Sequence, residues 1–468
     1  MNKLTKIVAT ISDLKCEVAF LEKLFKAGVN VVRLNTAHQG PEETLTVIKN
    51  VREISHKIPF MLDTKGPEIR TALGEDLEVK QNDILRVVGD PNKRSGKDSL
   101  FVTYKDICKD IKKGGKILID DGDIEMVVVA KHSSHLLCRV ENSGTIKPRK
   151  SVNIPGVPVR LPALSEKDRD YIDFAVKNDI AFIAHSFVRS KEDVLEIQEI
   201  LNRYKSKIKI IAKIENQQGI NNIDEILENV YGIMIARGDL AIEVPAEKIP
   251  VIQRNLVKKC MRNKKAVIIA TQVLHSMIKS PRPTRAEVTD IANAVFTGTD
   301  AIMLSGETAY GKYPVEAVQI MSKTIIEAEA NIPFIREHEV LPHDNEVSVF
   351  LSKTAVNAYD KLKTKAIITD TDTGKTARYL AAFRGPVPIY AQCYEKRVMR
   401  ELALSFGVQA DFMDVETSKK EFIRTTLNNL LEAKEIKKKD MVAVLAGNFG
   451  KKAGPSFVEI STVKNMLT

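Results

Sequence analysis

Eight short apolar runs recur within the first 306 residues, and their spacing limits the fold more than any other feature of the chain. They are Lys6–Ile11, Asn30–Asn35, Pro59–Thr64, Ile180–His185, Lys209–Ile214, Gly232–Arg237, Ala266–Thr271 and Ala301–Gly306. Each is rich in Ile, Val or Ala and bounded by polar or turn residues, the texture of parallel strands buried on both faces. Six of the seven intervals between their starts span 23 to 35 residues. That is room for one strand, one helix and two loops. Val18–Lys26, Lys191–Tyr204 and Thr284–Phe296 place apolar residues at helical spacing. Eight such units predict an α/β chain whose core is a (β/α)₈ TIM barrel; fewer would predict an open doubly wound sheet.

The interval from 59 to 180 is too long for a crossover. Within 68–162, apolar runs at Leu77–Val79, Ile84–Val88, Lys116–Ile119, Met126–Ala130 and Leu136–Val140 are broken by Gly, Asn and Asp clusters. This pattern predicts an inserted β-barrel domain after the third strand, with the catalytic barrel formed by 1–67 and 163–340. Insertions sit in surface loops, and the C-terminal rim of such a barrel is where chemistry is placed. A linker carrying Pro333 and Pro342 then leads to a C-terminal α/β domain over 345–468. Its expected strands are Lys365–Thr369, Pro388–Ala391 and Met441–Ala446.

Composition narrows the function classes. The five cysteines are scattered, without a CxxC pair, which points to free thiols in a reducing compartment rather than a disulfide framework or zinc site. The start MNKLTKIVAT lacks the basic-then-apolar pattern of a signal peptide. No run approaches the roughly 18 apolar residues of a spanning helix. A cytoplasmic protein with no membrane role is expected. The net charge of +10 is spread along the chain and aromatics make up only 6%. Pockets for phosphorylated small molecules therefore suit it better than a nucleic-acid surface. Phosphate-loop and dinucleotide glycine motifs are missing, and His338, Glu339 and His343 miss the HExxH spacing. His38, His185 and His275 near strand ends read as hydrogen-bonding groups.

Charged and hydroxylic residues gather where the strands end: Arg33 and Asn35, Asp63 with Lys65, Glu68 and Arg70 beyond it, Lys213 and Glu215, Asp239, Thr271, and Ser305 with Glu307. Lys213 and Glu215 are two residues apart, so both point one way while Ile214 points toward the helices. Glu215 and Asp239, from adjacent strands, could share a hard cation such as Mg²⁺ or Mn²⁺. Lys213 and Arg33 beside it would form a pocket for a phosphorylated anion. Buried charge is costly without purpose, so a cluster of this kind marks an active site.

These residues lie in segments that closely resemble the pyruvate kinases. They include NVVRLNTAH (30–38), LDTKGPEIRT (62–71), NIPGVPVRLPALS (153–165), AKIEN (212–216), IMIARGDL (233–240), ATQVLHSM (270–277), RPTRAEVTDIAN (282–293) and IMLSGETA (302–309). The resemblance implies a barrel, a β lid, a C-terminal α/β domain and phosphoryl transfer from phosphoenolpyruvate to ADP. It also implies roles. Glu215 and Asp239 would hold Mg²⁺; Lys213 and Arg33 would contact the transferred phosphoryl group. Gly238, Asp239 and Thr271 would contact the carboxylate, Arg70 and Lys150 would approach ADP, and Ser305 and Glu307 would belong to the proton route. Asn35, Asp63 and Thr64 would bind K⁺, with Glu68 marking the potassium-dependent form. A homotetramer and a sugar-phosphate or nucleotide effector complete the implication.

The family's Asn-Phe-Ser-His reads Asn35-Thr36-Ala37-His38 here, which removes one potassium ligand at Ala37. The opening Gly-Pro-Ala-Ser is replaced by Ser12-Asp13-Leu14-Lys15. The effector loop Thr-x-Ser-Gly-x-Ser reads Thr371-Asp372-Thr373-Gly374-Lys375-Thr376, followed later by Gly447–Ser456 with Lys451 and Lys452. Hydroxyls and amides opening a helix suit a phosphate, and they equally suit a capped helix start.

Overall fold

The computed structural model describes residues 3–332, 340–341, 345–414, 418–447 and 454–468. The linker prolines Pro333 and Pro342, His338, Glu339, His343, Lys451 and Lys452 lie outside them.

All eight expected strands form and close into one parallel barrel. They are Lys6–Thr10, Val31–Asn35, Phe60–Asp63, Phe182–His185, Lys209–Ile214, Gly232–Ala236, Ala266–Ala270 and Ala301–Leu304. The ring shuts where Lys6 faces Ala301. Apolar composition runs on into the flanking loops, as at Ile11 and Ile180, so several expected strands are a residue or two longer than the observed ones. Period-two alternation sorts the side chains into two cores. Ile210, Ala212 and Ile214 pack outward against the helices. Ile211, Met234 and Ile268 fill the barrel. Lys213 shares the phase of Ile211 and so faces the interior. Gly232 is required at its position, because a Cβ there would sit 2.4 Å from the carbonyl oxygen of Ala266 on the next strand.

The three expected helices appear as Val18–Ala27, Lys191–Arg203 and Arg285–Phe296. Thr284 caps the last one in a reciprocal box with Glu287. A second box, Ser165 with Asp168, opens Glu166–Lys177. The other Asp168 oxygen accepts the Lys65 amide at 2.9 Å, which ties this helix start to the loop after the third strand.

The insertion holds a six-stranded sheet and a two-stranded ribbon. Besides the expected runs it contains Ser99–Val102, Gly144–Ile146 and Val152–Asn153, strands of two to four residues, too short to show a periodic pattern in the sequence. The expected small barrel closes through single-residue bridges. Arg70 pairs with Ser151 beside one edge strand, and Thr71 pairs with Val102 on the other.

The C-terminal sheet has five strands in the order Val408–Phe412, Ile389–Cys393, Ala366–Thr371, Met441–Gly447 and Pro455–Thr462. The first and last were not expected. They are partly exposed edges, so they lack the continuous apolar run of the central three. Arg384 anchors this domain to the barrel base, meeting Asp300 at 2.7 Å and the Gly298 carbonyl at 2.8 Å. The five cysteines are free thiols. Among the described residues no helix is long and apolar enough to cross a membrane.

Candidate active site

The rim residues converge at the C-terminal ends of the second to sixth barrel strands. Arg33 lies against Asp63, with its Nε 2.6 Å from the carboxylate, and donates through Nη1 to the Thr10 hydroxyl at 2.9 Å. Lys213 Nζ stands 3.1 Å from Asp63 and 3.1 Å from Glu215 and donates to Ser186 Oγ at 2.7 Å. Asp63 and Glu215 are each 1% exposed. Ser186 in turn donates to the Thr64 carbonyl at 2.6 Å. The second oxygen of Glu215 accepts the Phe187 amide at 2.7 Å.

Charge within the cluster is uneven. Burial would raise Asp63, but Arg33 and Lys213 outweigh it and hold that carboxyl below its ordinary range. Burial would lower Lys213, but Asp63 and Glu215 hold it above the ordinary lysine value. Glu215 is pushed up to about 7 by burial and by the charge of Asp239, despite Lys213. Asp239 is also raised, by burial first and then by Asp121 and Glu68. A buried and a half-buried carboxylate that both resist ionisation lack positive charge, and the residues present fit a divalent cation there. Among the described residues no group of three or more His, Cys, Asp or Glu side chains could hold a metal.

Thr271 adopts φ +67°, and Gln272 φ +52°. A β-branched residue in that region is strained, and such strain collects at functional sites. The turn aims Thr271 Oγ1 at the Gly238 amide, which donates to it at 2.7 Å. Arg237 braces the same turn, donating to the Thr271 carbonyl at 2.9 Å and to Asp290 at 2.7 Å. Glu307 is buried and accepts two backbone amides, Ser305 at 2.8 Å and Leu274 at 3.1 Å. It therefore ties the seventh and eighth rim loops together.

Two cavities separate the rim from the inserted domain. One of about 270 Å³ is lined by Glu215 and Asp239 from the barrel and by Asp121 and Val157 from the insertion. The other, of about 630 Å³, is lined by His38, Lys65, Arg70 and Arg149. Arg70 also bonds Glu68 through Nε at 2.7 Å and the Arg149 carbonyl at 2.5 Å. Lys150 lines neither cavity and pairs with Asp120 at 2.6 Å. Asn35 Oδ1 accepts the Ala37 amide at 3.2 Å, beside Asp63 and Thr64.

The sequence reading missed Ser186, Phe187 and Thr10. Their only sequence signal is position: Ser186 and Phe187 directly follow a barrel strand, and Thr10 ends one. His185 departs from expectation. It is buried among the helices, and neither ring nitrogen has a hydrogen-bond partner. In the C-terminal loop, Thr371 Oγ1 accepts the Gly374 amide at 2.9 Å and Gly374 takes φ +77°. This turn starts the helix Lys375–Ala382, with Thr373 exposed and Thr376 buried. Lys375 faces a different cavity at the barrel base.

Comparison with known proteins agrees with this geometry. The family model "Pyruvate kinase, barrel domain" matches residues 2–318, and "Pyruvate kinase, alpha/beta domain" matches 350–460. The pyruvate kinase of Borreliella burgdorferi is 46% identical, covering 100% of this chain and 99% of that protein. That of Bacillus licheniformis is 41% identical over 99% of this chain and 81% of its own length. A crystal structure of a pyruvate kinase from Cryptosporidium parvum superposes with a TM-score of 0.93 at 36% identity, covering 98% of this chain and 96% of that one. With its barrel and its C-terminal domain both matched along nearly their whole length, this chain belongs to the pyruvate kinase family.

Proposed function

We propose that the chain transfers the phosphoryl group of phosphoenolpyruvate to ADP, giving pyruvate and ATP in glycolysis. The observation that carries the reading is Lys213, held 3.1 Å from both Asp63 and Glu215 at the barrel rim. An ammonium fixed by two buried carboxylates is preorganised to face a transferring phosphoryl group without rearranging. Arg33, locked by Asp63 and Thr10, presents its guanidinium to the same anion. Glu215 and Asp239 would hold the divalent ion, which when bound supplies Lewis-acid charge for the oxygens of the substrate. The Gly238 and Asp239 amides and Thr271 orient the substrate carboxylate, the strained turn fixing their aim. Glu307 positions the Ser305 loop, from which a proton would reach the enolate carbon. The insertion, 68–162, acts as a lid that keeps water from the phosphoryl group.

ADP would enter the cavity between Lys65, Arg70 and Arg149, with Lys150 joining once released from Asp120. Asn35, Asp63 and the Thr64 carbonyl offer oxygen ligands to K⁺, and Ala37 adds none. A cytoplasmic homotetramer and a sugar-phosphate or nucleotide effector at Thr371–Thr376 complete the proposal. A coupled assay for pyruvate formed from phosphoenolpyruvate and ADP with Mg²⁺ and K⁺ tests it. Absence of ADP-dependent pyruvate formation would reject it.

A further inference from the structure

The chain returns from the insertion to the barrel through the stretch 157–162, which belongs to no helix or strand. Pro155, Pro158 and Pro162 keep it extended. Val157, Val159 and Leu161 pack on the hydrophobic core of the insertion. Between them Arg160 donates its amide to the Tyr104 hydroxyl, also of the insertion, at 3.1 Å. Two carbonyls of the same stretch turn to the barrel instead. Arg189, four residues past the fourth barrel strand, donates through Nη1 to the Val159 and Leu161 carbonyls, each at 2.9 Å.

The rest of Arg189 is braced by the barrel. Its Nε and Nη2 donate to the two oxygens of Asp193 at 3.0 and 2.8 Å, and its amide donates to Asp193 at 2.8 Å. Asp193 lies in the first turn of the helix Lys191–Arg203, and Asn222 donates to the Arg189 carbonyl at 2.8 Å. Burial would raise Asp193, but its bonds from Arg189 hold that carboxyl below its ordinary range. A guanidinium is a rigid fork, so fixing Nε and Nη2 also fixes where Nη1 points. Arg189, Val159 and Leu161 line the same cavity as Glu215 and Asp239, so a swing of the stretch changes the space beside the rim.

We propose that Arg189 is a positioning residue that fixes the angle of the lid on the barrel, gripping the return stretch from the barrel side while Tyr104 grips it from the lid side. The inference rests on reading the insertion as a lid that keeps water from the phosphoryl group. With the barrel's grip lost, water reaches the phosphorus of phosphoenolpyruvate. A new P–O bond forms to water, the P–O bond to the enolate breaks, and the enolate takes up a proton. Pyruvate and inorganic phosphate then leave without ADP.

The test compares the full chain with its variants Arg189→Gln, Arg189→Lys and Asp193→Asn, first by hydrogen–deuterium exchange without substrate. In Arg189→Gln the amides of Val159, Arg160 and Leu161 are expected to exchange at least about ten-fold faster, the scale of losing hydrogen bonds to a charged group, while the barrel helices exchange as in wild type. Arg189→Lys keeps the charge without the fork, and Asp193→Asn weakens the brace, so both should fall between; they decide the matter if Arg189→Gln does not fold. The ratio of ADP-independent phosphate release to pyruvate formed with ADP should rise in the same order. Unchanged exchange at 159–161, a rise shared equally by the barrel helices, or an unchanged ratio in a variant whose stretch has loosened would each overturn the proposal. A wild type that forms no pyruvate would instead reject the assigned reaction, and exchange, read without substrate, still decides the grip.

Discussion

Replacing Lys213 by Met removes one cation from a cluster whose charges can be counted. Arg33 and Lys213 stand against Asp63, Glu215 and Asp239, a net of −1 when all are ionised. A divalent ion brings that net to +1, suited to an anionic phosphoryl donor. In Lys213→Met the same sum is zero, and the group proposed to face the transferred phosphoryl is gone. The expected loss in turnover is at least about 10³-fold, or about 4 kcal/mol at 1.36 kcal/mol per factor of ten. Stability falls too, by about 3 kcal/mol, the lower end for breaking a buried pair. The lower end applies because Asp63 keeps Arg33 and Glu215 keeps the Phe187 amide. Turnover is measured by the coupled assay at a temperature where circular dichroism shows the variant folded, with urea unfolding followed in parallel. A folded variant whose rate lies within ten-fold of wild type would refute the reasoning.

Turnover with K⁺, Na⁺ or neither is expected to show activation by K⁺, and Ala37→Ser is expected to lower the half-saturating K⁺ concentration; equal rates in all three conditions would remove the site. Arg70→Gln should raise the KM for ADP about ten- to hundred-fold, as hydrogen bonds to charged groups contribute about 1.5–3 kcal/mol. The KM for phosphoenolpyruvate should change little, and equal shifts in both would contradict the assignment. His185 makes stability pH-dependent. Burial holds it at about 4 against 6.5 for a free imidazole, even with Asp193 and Asp168 nearby. The unfolded chain takes up its proton first as pH falls. Stability present above pH 6.5 is therefore lost progressively down to about pH 4, by about 3 kcal/mol from this group. Urea unfolding of His185→Ala should show a flatter pH dependence between 6.5 and 4 than wild type, and identical slopes would exclude His185 as the source.

The barrel was legible because burial on both faces leaves continuous apolar runs, and the rim because charge at the end of such a run is costly without use. Lys213 and Glu215 follow from period two alone, and Ile214 packs outward as that period requires. What the sequence withheld was the work of uncharged groups and of backbone shape. Ser186 joins Lys213 to Thr64 through one hydroxyl, and nothing about a lone serine announces that. The left-handed turn at Thr271 defies local propensity and exists because Arg237, Gly238 and the surrounding barrel hold it. His185 was misread because a histidine near a rim suggests a polar partner, whereas its strand phase turns it into the apolar layer. The edge strands of both outer domains depend on partners distant in sequence.

The seam at Arg70 and Thr71 bears on how the lid could be transplanted. These two residues join the free edges of the lid's sheet, yet they sit only a few positions past Asp63, where the chain leaves the barrel. A graft cut just after residue 71 would leave the closing staves behind and carry away an open sheet with two exposed edges. A graft cut at Pro67 would take the staves along, but Arg70 would travel with them and bring the donor's own proposed nucleotide contact. In this architecture the lid and the grip on the nucleotide proposed for it are inherited as one piece.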